Sequence, residues 1–199
     1  MAVFRLKTPI SEKEIRKLRV NDALYVSGVV VTARDQAHKR ALEYSKFGKT
    51  LPVDLKGLAV FHCGPVMRKQ DDSWVAVAAG PTTSTRLEAY ESEFIRLFKP
   101  RLIIGKGGMG KKTTSAMAKY GAVYCAFTGG AAVLAAKAIK GVKDVAWLDL
   151  GMAEAIWVLE VEDFGPLVVS IDSCGGNLYK DVAEKVKLNR EKIFRKLSL

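Results

Sequence analysis

Short apolar runs rich in β-branched residues recur along this chain, and most of them end in glycine or a polar residue that opens a helical stretch. Residues 23–32, ALYVSGVVVT, form the longest run, and the helical pattern RDQAHKRALEY follows at 34–44. The same alternation places a strand at 103–104 before a helix at 109–120, and a strand at 122–126 before an alanine-rich, buried helix at 130–139. Further strands are expected at 58–63, 142–148, 155–161 and 167–171, and KQDDSW turns a hairpin between 66–69 and 74–79. Gly80-Pro81 breaks that hairpin, and 82–97 reads as one helix with acidic residues on one side. Ser11 and Glu14 form a capping box, so a short helix starts near Glu12. Strands alternating with helices fold into α/β layers. A hairpin among crossover units requires a mixed sheet rather than a purely parallel one.

The stretch IIGKGGMGKKTTS, residues 103–115, raises the question of chemistry. Gly105, Gly110 and Lys111 fit the phosphate-loop pattern, but Lys112 stands where that pattern needs a hydroxyl for Mg²⁺. Thr113 is one residue late, which on a helix is a rotation of about 100°. A nucleotide site built on Gly105–Thr113 is therefore a remote alternative. What remains is a glycine loop feeding a helix whose free N–H groups and positive dipole end favour an anion. Lys106 adds a full charge, and a carboxylate suits the loop as well as a phosphate does.

Bulk properties narrow the class. The 199 residues suffice for one domain with a substantial core, and 49% apolar content excludes a disordered chain. No apolar run approaches the ~18 residues of a membrane span. The first residues, MAVFRLKTPISEKE, carry no secretory pattern, so a cytoplasmic location is expected. Cys63, Cys125 and Cys174 are odd in number and widely spaced, which argues against disulfides, and no C-x-x-C or C-x-x-H spacing offers a zinc site. They read as small, mostly buried apolar residues. The net charge of +11 is spread, except for the last 20 residues, KDVAEKVKLNREKIFRKL among them. That segment reads as an amphipathic helix with a solvated basic face, and no nucleic-acid recognition motif accompanies it.

Candidate chemistry sits where strands end. Arg34 follows the strand 23–32 at the start of a helix, where a cation opposes the dipole unless it faces an anion. Its guanidinium can grip a carboxylate in two parallel bonds. GPTTSTR, residues 80–86, puts four hydroxyls at a helix start, more than capping uses. Thr82 and Arg86 are four apart and share a helical face. Together with Lys106, these cations form a dicarboxylate clamp. Asp35, His38, Thr83, Gly105 and Gly107 are candidate site-lining residues; His38 either lines the site or stands at the surface. His62, in an apolar strand, reads as a core histidine. No metal-ligand set is expected within this chain.

ARDQAHKR, FHCGP, GPTTSTRLEAYE, GKGGMG, GGAAVLAA, DLGMAEAIWVLEVEDFGPLVVSID and GGNLY stand in this order. In these motifs the chain resembles the β subunits of iron–sulfur hydro-lyases, the class I fumarases and L(+)-tartrate dehydratases, from about residue 8 to about residue 180. In one-chain members the same unit is the C-terminal domain. The resemblance implies a single-domain swivelling β/β/α fold over 1–199, with its core at about 8–180 and a basic helix at about 177–197. It implies reversible loss of water from a 2-hydroxy dicarboxylate: malate to fumarate, with tartrate to oxaloacetate as the alternative. It also implies a [4Fe–4S] cluster carried by a separate α subunit in an α2β2 assembly, with no nucleic-acid or membrane partner. By the same resemblance Arg34, Arg86 and Lys106 bind substrate, and Thr82 takes the C3 proton. An unassisted threonine hydroxyl is a very weak base, so Thr82 either works beside a cation or only orients substrate. The GKGGMG form of the lysine loop occurs with both substrates. A non-enzymatic docking module is a third reading, and the loop-end cations argue against it.

Overall fold

The computed structural model describes residues 1–197. In chain order the elements are β1 (Val3–Lys7), α1 (Glu12–Ile15), β2 (Ala23–Thr32), α2 (Asp35–Lys46), β3 (Ala59–Phe61), β4 (Val66–Gln70), β5 (Ser73–Ala78), α3 (Glu88–Phe98), β6 (Leu102–Gly105), α4 (Lys111–Tyr120), β7 (Val123–Ala126), α5 (Ala132–Ala138), β8 (Ile139–Ala146), β9 (Ile156–Ile171) and α6 (Leu178–Lys196). Seven strands form a mixed sheet in the order β1-β2-β3-β6-β7-β9-β8, and β4 and β5 form a separate hairpin. Strands β1, β2, β3, β6 and β7 are mutually parallel. β9 runs antiparallel to β7, to β8 and also to β2. That last pairing closes β2, β3, β6, β7 and β9 into a ring.

Alternation of side chains along each strand builds two cores. Val26, Val30, Phe61, Ile104, Cys125 and Leu159 belong to the cluster on one face. Its aromatic centre is Phe61, Phe127 and Phe164, with ring centroids 5.1–6.3 Å apart. The intervening residues Val31, Val60, Ile103 and Tyr124 pack on the other face against Ala37 and Ala41 of α2, Phe94 and Ile95 of α3, and Met117 of α4. Each of the large aliphatic side chains gains about 1.5–3 kcal/mol on leaving water. A strand buried on both faces needs no polar alternation, which is why β3 and β6 read as continuous apolar runs.

Several elements depart from the sequence expectation. The strands expected at 155–161 and 167–171 are one continuous strand, β9. β2 runs alongside it from Ala23↔Val168 to Val31↔Val158, so its backbone stays paired across Gly165-Pro166. The register against β2 slips between Leu24 and Gly28, and a bulged site tolerates the missing proline N–H. β1 was not expected; it is short and lies at the sheet edge, where half its residues face solvent. α5 was expected to be buried, yet among its residues only Ala135 is, and Val133 and Leu134 are exposed. The helix expected from Thr82 begins instead with a 3-10 turn, Ser84–Leu87, that leads into α3. The capping box at Ser11 and Glu14 is formed as expected. α6 stands where the basic helix was expected, N-capped by Asn177 and without a buried residue on either face. No helix among the described residues is long and apolar enough to cross a membrane.

Candidate functional site

Parallel strands β2, β3, β6 and β7 end on one edge of the ring, and the expected site residues stand there. Arg34 follows β2, His62 through Gly64 follow β3, Lys106 follows β6, and Gly129 and Gly130 follow β7. Residues 81–84 are laid across this edge as an extra bridging segment. The Thr82 N–H donates to the His62 carbonyl at 2.6 Å, the Lys106 N–H donates to the Thr82 carbonyl at 3.3 Å, and the Ser84 N–H donates to the Lys106 carbonyl at 2.8 Å. Thr82 is therefore extended backbone between two strand ends rather than the first turn of a helix. It shares no helical face with Arg86, which belongs to the 3-10 turn. Thr83 lies beside Lys106 and makes no side-chain cap.

The cations fall into two groups. Arg34 Nε lies 2.9 Å from Glu154 and 3.4 Å from Asp35. Asp35 also accepts from Arg86 at 2.7 Å. Glu154 accepts the Gln36 N–H in the first turn of α2 at 2.8 Å. These two carboxylates resolve the oddity of a cation at a helix start: they stand where the dipole wants negative charge and hold Arg34 beside it. Gly64 leaves room here for the Arg34 guanidinium, and a Cβ at that position would also come within 2.8 Å of the fixed Ala153 carbonyl. Lys106 has no ion-pair partner among the described residues, and its side chain passes over Gly129. Asp35 was expected only as a lining residue and Glu154 was not expected at all. The signal was a lone carboxylate in GMAEA just before a strand. Two clefts, of about 600 and 650 Å³, contain none of Arg34, Thr82, Arg86 or Lys106; the clamp residues do not line either of them.

The anion expected at the glycine loop is a carboxylate of the chain itself. Glu88 accepts the N–H groups of Gly110, Lys112 and Thr113 at 2.7, 3.0 and 3.3 Å, and the Thr113 hydroxyl at 2.7 Å. α4 begins at Lys111, with Gly110 as its cap residue and no side-chain cap of its own. Three of the N–H groups at its start are thus already used by a carboxylate, which works against phosphate binding there. Gly107 and Gly108 both have φ near +75°, at 78° and 74°, and the Tyr179 ring packs against Gly108 where a Cβ would collide.

Under the edge lies a buried polar network. His38, His62 and Glu91 have no solvent exposure, so His38 neither lines the site nor reaches the surface. Glu91 Oε2 is 3.2 Å from His38 Nε2 and 3.1 Å from His62 Nε2, as charge contacts off the line of a hydrogen bond. His62 Nδ1 meets Ser84 Oγ at 2.9 Å, and the Tyr124 hydroxyl donates to Ser84 Oγ at 3.1 Å. Gly105 is likewise buried rather than lining, because a Cβ there would overlap Ser84 Oγ. Burial lowers the His62 pKa, against the pull of Glu91. Burial alone would raise the Glu91 carboxyl, but His62 and His38 outweigh it and hold it at about 2. Glu91 was missed in the sequence although its spacing with Leu87, Phe94 and Ile95 places it on the apolar face of α3.

The cysteines do not suit an iron–sulfur cluster. Cys63 and Cys125 are buried in the ring wall, and Cys174 stands exposed in the turn after β9, contrary to the expectation that it is buried. Burial pushes the Cys63 thiol up to about 12 and raises Cys125 as well, opposite to what a thiolate ligand requires.

Comparison with known proteins agrees along nearly the whole chain. The family described as Fumarase C-terminus matches residues 2–182. A Methanocaldococcus jannaschii protein provisionally named L(+)-tartrate dehydratase subunit beta is 47% identical over 183 residues, covering 90% of this chain and 94% of its own. The L(+)-tartrate dehydratase subunit beta of Escherichia coli (strain K12) is 44% identical over 187 residues, 94% of this chain and 90% of its own. A Geobacillus stearothermophilus protein provisionally named fumarate hydratase class I is 42% identical over 197 residues. That match covers 96% of this chain but 37% of the Geobacillus protein.

Two predictions test the geometry. Glu88→Ala strands three backbone donors, so it should lower unfolding stability by about 1–3 kcal/mol in urea denaturation; a change within about 0.5 kcal/mol, as for an ordinary surface site, would contradict the internal cap. Both His62 and Glu91 have lowered pKa values in the folded state, so their contribution is present above the unfolded values and is lost on acidification. Stability should fall as pH drops below 6.5 through His62, and again between 4.5 and about 2 through Glu91. His62→Gln should flatten the first limb in urea titrations at successive pH values; an unchanged slope would show that His62 is not its source.

Proposed function

The chain belongs to the Fumarase C-terminus family, and from that premise we propose that it is the β subunit of a heteromeric iron–sulfur hydro-lyase that interconverts malate and fumarate. The observation that carries the reading is the single edge at which Arg34 and Lys106 follow parallel strands, Thr82 lies in the segment laid across those ends, and Arg86 in the next turn is bonded to Asp35 beside Arg34. Ligands of open α/β sheets bind at that carboxyl edge. The [4Fe–4S] cluster is assigned to the α subunit, where it supplies a Lewis acid for the departing hydroxyl. The two-chain relatives, named as β subunits, support the α partner, and an α2β2 assembly is the corresponding proposal.

This chain's own contribution follows from its donors. A guanidinium carries five N–H groups. Arg34 Nε lies 2.9 Å from Glu154 as a charge contact without a hydrogen bond, and one terminal nitrogen stands beside Gly64, so the guanidinium still has donors for a substrate carboxylate. Arg86, half exposed and anchored through Asp35, offers a second grip. Lys106, without an internal partner among the described residues, offers a third charge next to Thr82. Thr82 then acts as an alkoxide held beside the Lys106 charge, taking the C3 proton and becoming the neutral hydroxyl, or it orients the substrate for a base elsewhere. L(+)-tartrate is the second reading, favoured by the names of the two-chain relatives. It differs from malate by one hydroxyl.

In the complex with its α subunit, Arg34→Met and Lys106→Met should each lower kcat/KM at least tenfold, about 1.5–3 kcal/mol, without loss of fold. Near-normal kcat/KM in either would remove that residue from the site. Thr82→Val should abolish solvent-hydrogen exchange at C3 of malate if Thr82 is the base, and Thr82→Ser should retain part of it. Exchange near the wild-type rate in Thr82→Val would leave Thr82 as an orienting residue. A kcat/KM for L(+)-tartrate above that for malate would transfer the assignment to tartrate dehydration.

A further inference from the structure

We propose that Glu91, His38 and His62 are positioning residues that lock the two halves of the substrate-gripping edge to each other. The proposal rests on the hydro-lyase reading for its catalytic consequence, while its structural content stands on geometry alone. His38 Nδ1 donates to the Arg34 carbonyl at 3.0 Å, and the His38 N–H donates to the same oxygen at 2.9 Å. One ring on α2 therefore sits directly under the residue that precedes that helix. His62 holds the other half: its carbonyl receives the Thr82 N–H, and its ring meets Ser84, whose N–H is bonded to Lys106. Glu91 on α3 touches both rings through one oxygen, at 3.2 and 3.1 Å. No other carboxylate contacts either ring among the described residues.

A carbonyl only accepts, so His38 Nδ1 carries a hydrogen. Its Nε2 then faces Glu91 Oε2 at 3.2 Å. His62 meets the Ser84 hydroxyl at Nδ1 and turns Nε2 toward Glu91 at 3.1 Å, while Tyr124 donates to Ser84. A buried anion shared by two rings fixes α2 and the end of β3 at one separation. The Arg34 group and the Thr82–Lys106 group inherit that separation, and catalytic groups must be held to within about 0.5 Å.

Glu91→Gln keeps the shape and removes the charge. In the assembled enzyme it should lower kcat/KM at least tenfold. In an Arg34→Met background the same substitution should cost at least threefold less, because part of its effect acts through Arg34. An equal factor in both backgrounds is the signature of a merely structural role and overturns the proposal. In the chain itself, without any assay, Glu91→Gln should move the NMR resonances of both the Arg34 Nε–H and the Thr82 amide and leave the Trp74 indole unchanged. Static Arg34 and Thr82 resonances overturn it even if no hydro-lyase activity is found. Moving resonances with no activity toward malate or tartrate would retain the positioning geometry and reject the hydro-lyase reading. Should Glu91→Gln fail to fold, Tyr124→Phe deletes only the outermost hydrogen bond. It should shift the Thr82 amide and not the Arg34 Nε–H, and an unmoved Thr82 amide counts against the proposal. The three ligand-capable atoms also lie within 4.8 Å of one another. One equivalent of tightly bound metal in the purified chain, lost in Glu91→Gln, would overturn this account.

Discussion

The antiparallel pairing of β9 with β2 is the constraint from which the rest of the architecture follows. It closes five strands into a ring, with the aromatic cluster of Phe61, Phe127 and Phe164 at the centre of one core. Closure pairs β2 with β9 from Ala23 to Val31, so β2 presents no long open edge. Within the ring β2, β3, β6 and β7 pair parallel to one another, so their four ends lie on one side.

Buried and half-buried carboxylates then specify that edge. Glu88 neutralises the start of α4, Glu91 ties two histidines together under the edge, and Asp35 and Glu154 hold the two arginines. Three of these four belong to the helices α2 and α3, which pack against each other. A strongly basic chain thus keeps its cations ordered by placing a few acids at short range, and the one site cation left without an internal acid is Lys106 among the described residues. That asymmetry suits a ligand which itself brings negative charge.

Much of this was legible from residues alone. The limits of β2 and the hairpin of β4 and β5 were readable because β-branched runs and a DD turn are local signals. Arg34 stood out because a cation at a helix start is electrostatically unfavourable unless paired. The rest depends on tertiary context. Glu154 reaches Arg34 across about 120 residues of sequence, a pairing no local pattern encodes. Thr82 looked helical because Thr, Ser and Thr in succession suit a cap; the bonds to His62 and Lys106 override that preference. The helix α5 looked buried from its alanines, but small residues also suit a helix laid against the hairpin by one face only. The glycine loop reads as a site for a ligand anion, but Glu88, 22 residues earlier, takes those donors, which no local pattern encodes.

On the proposed reading this chain is half of a catalytic site, its strand-end cations facing a substrate shared with a second subunit. Separate purification of the two subunits, followed by mixing, tests that claim most directly. Neither alone should form fumarate from malate, and the mixture should do so with a rate that saturates at one equivalent of this chain. Full turnover by the partner alone, or by this chain alone, would contradict it.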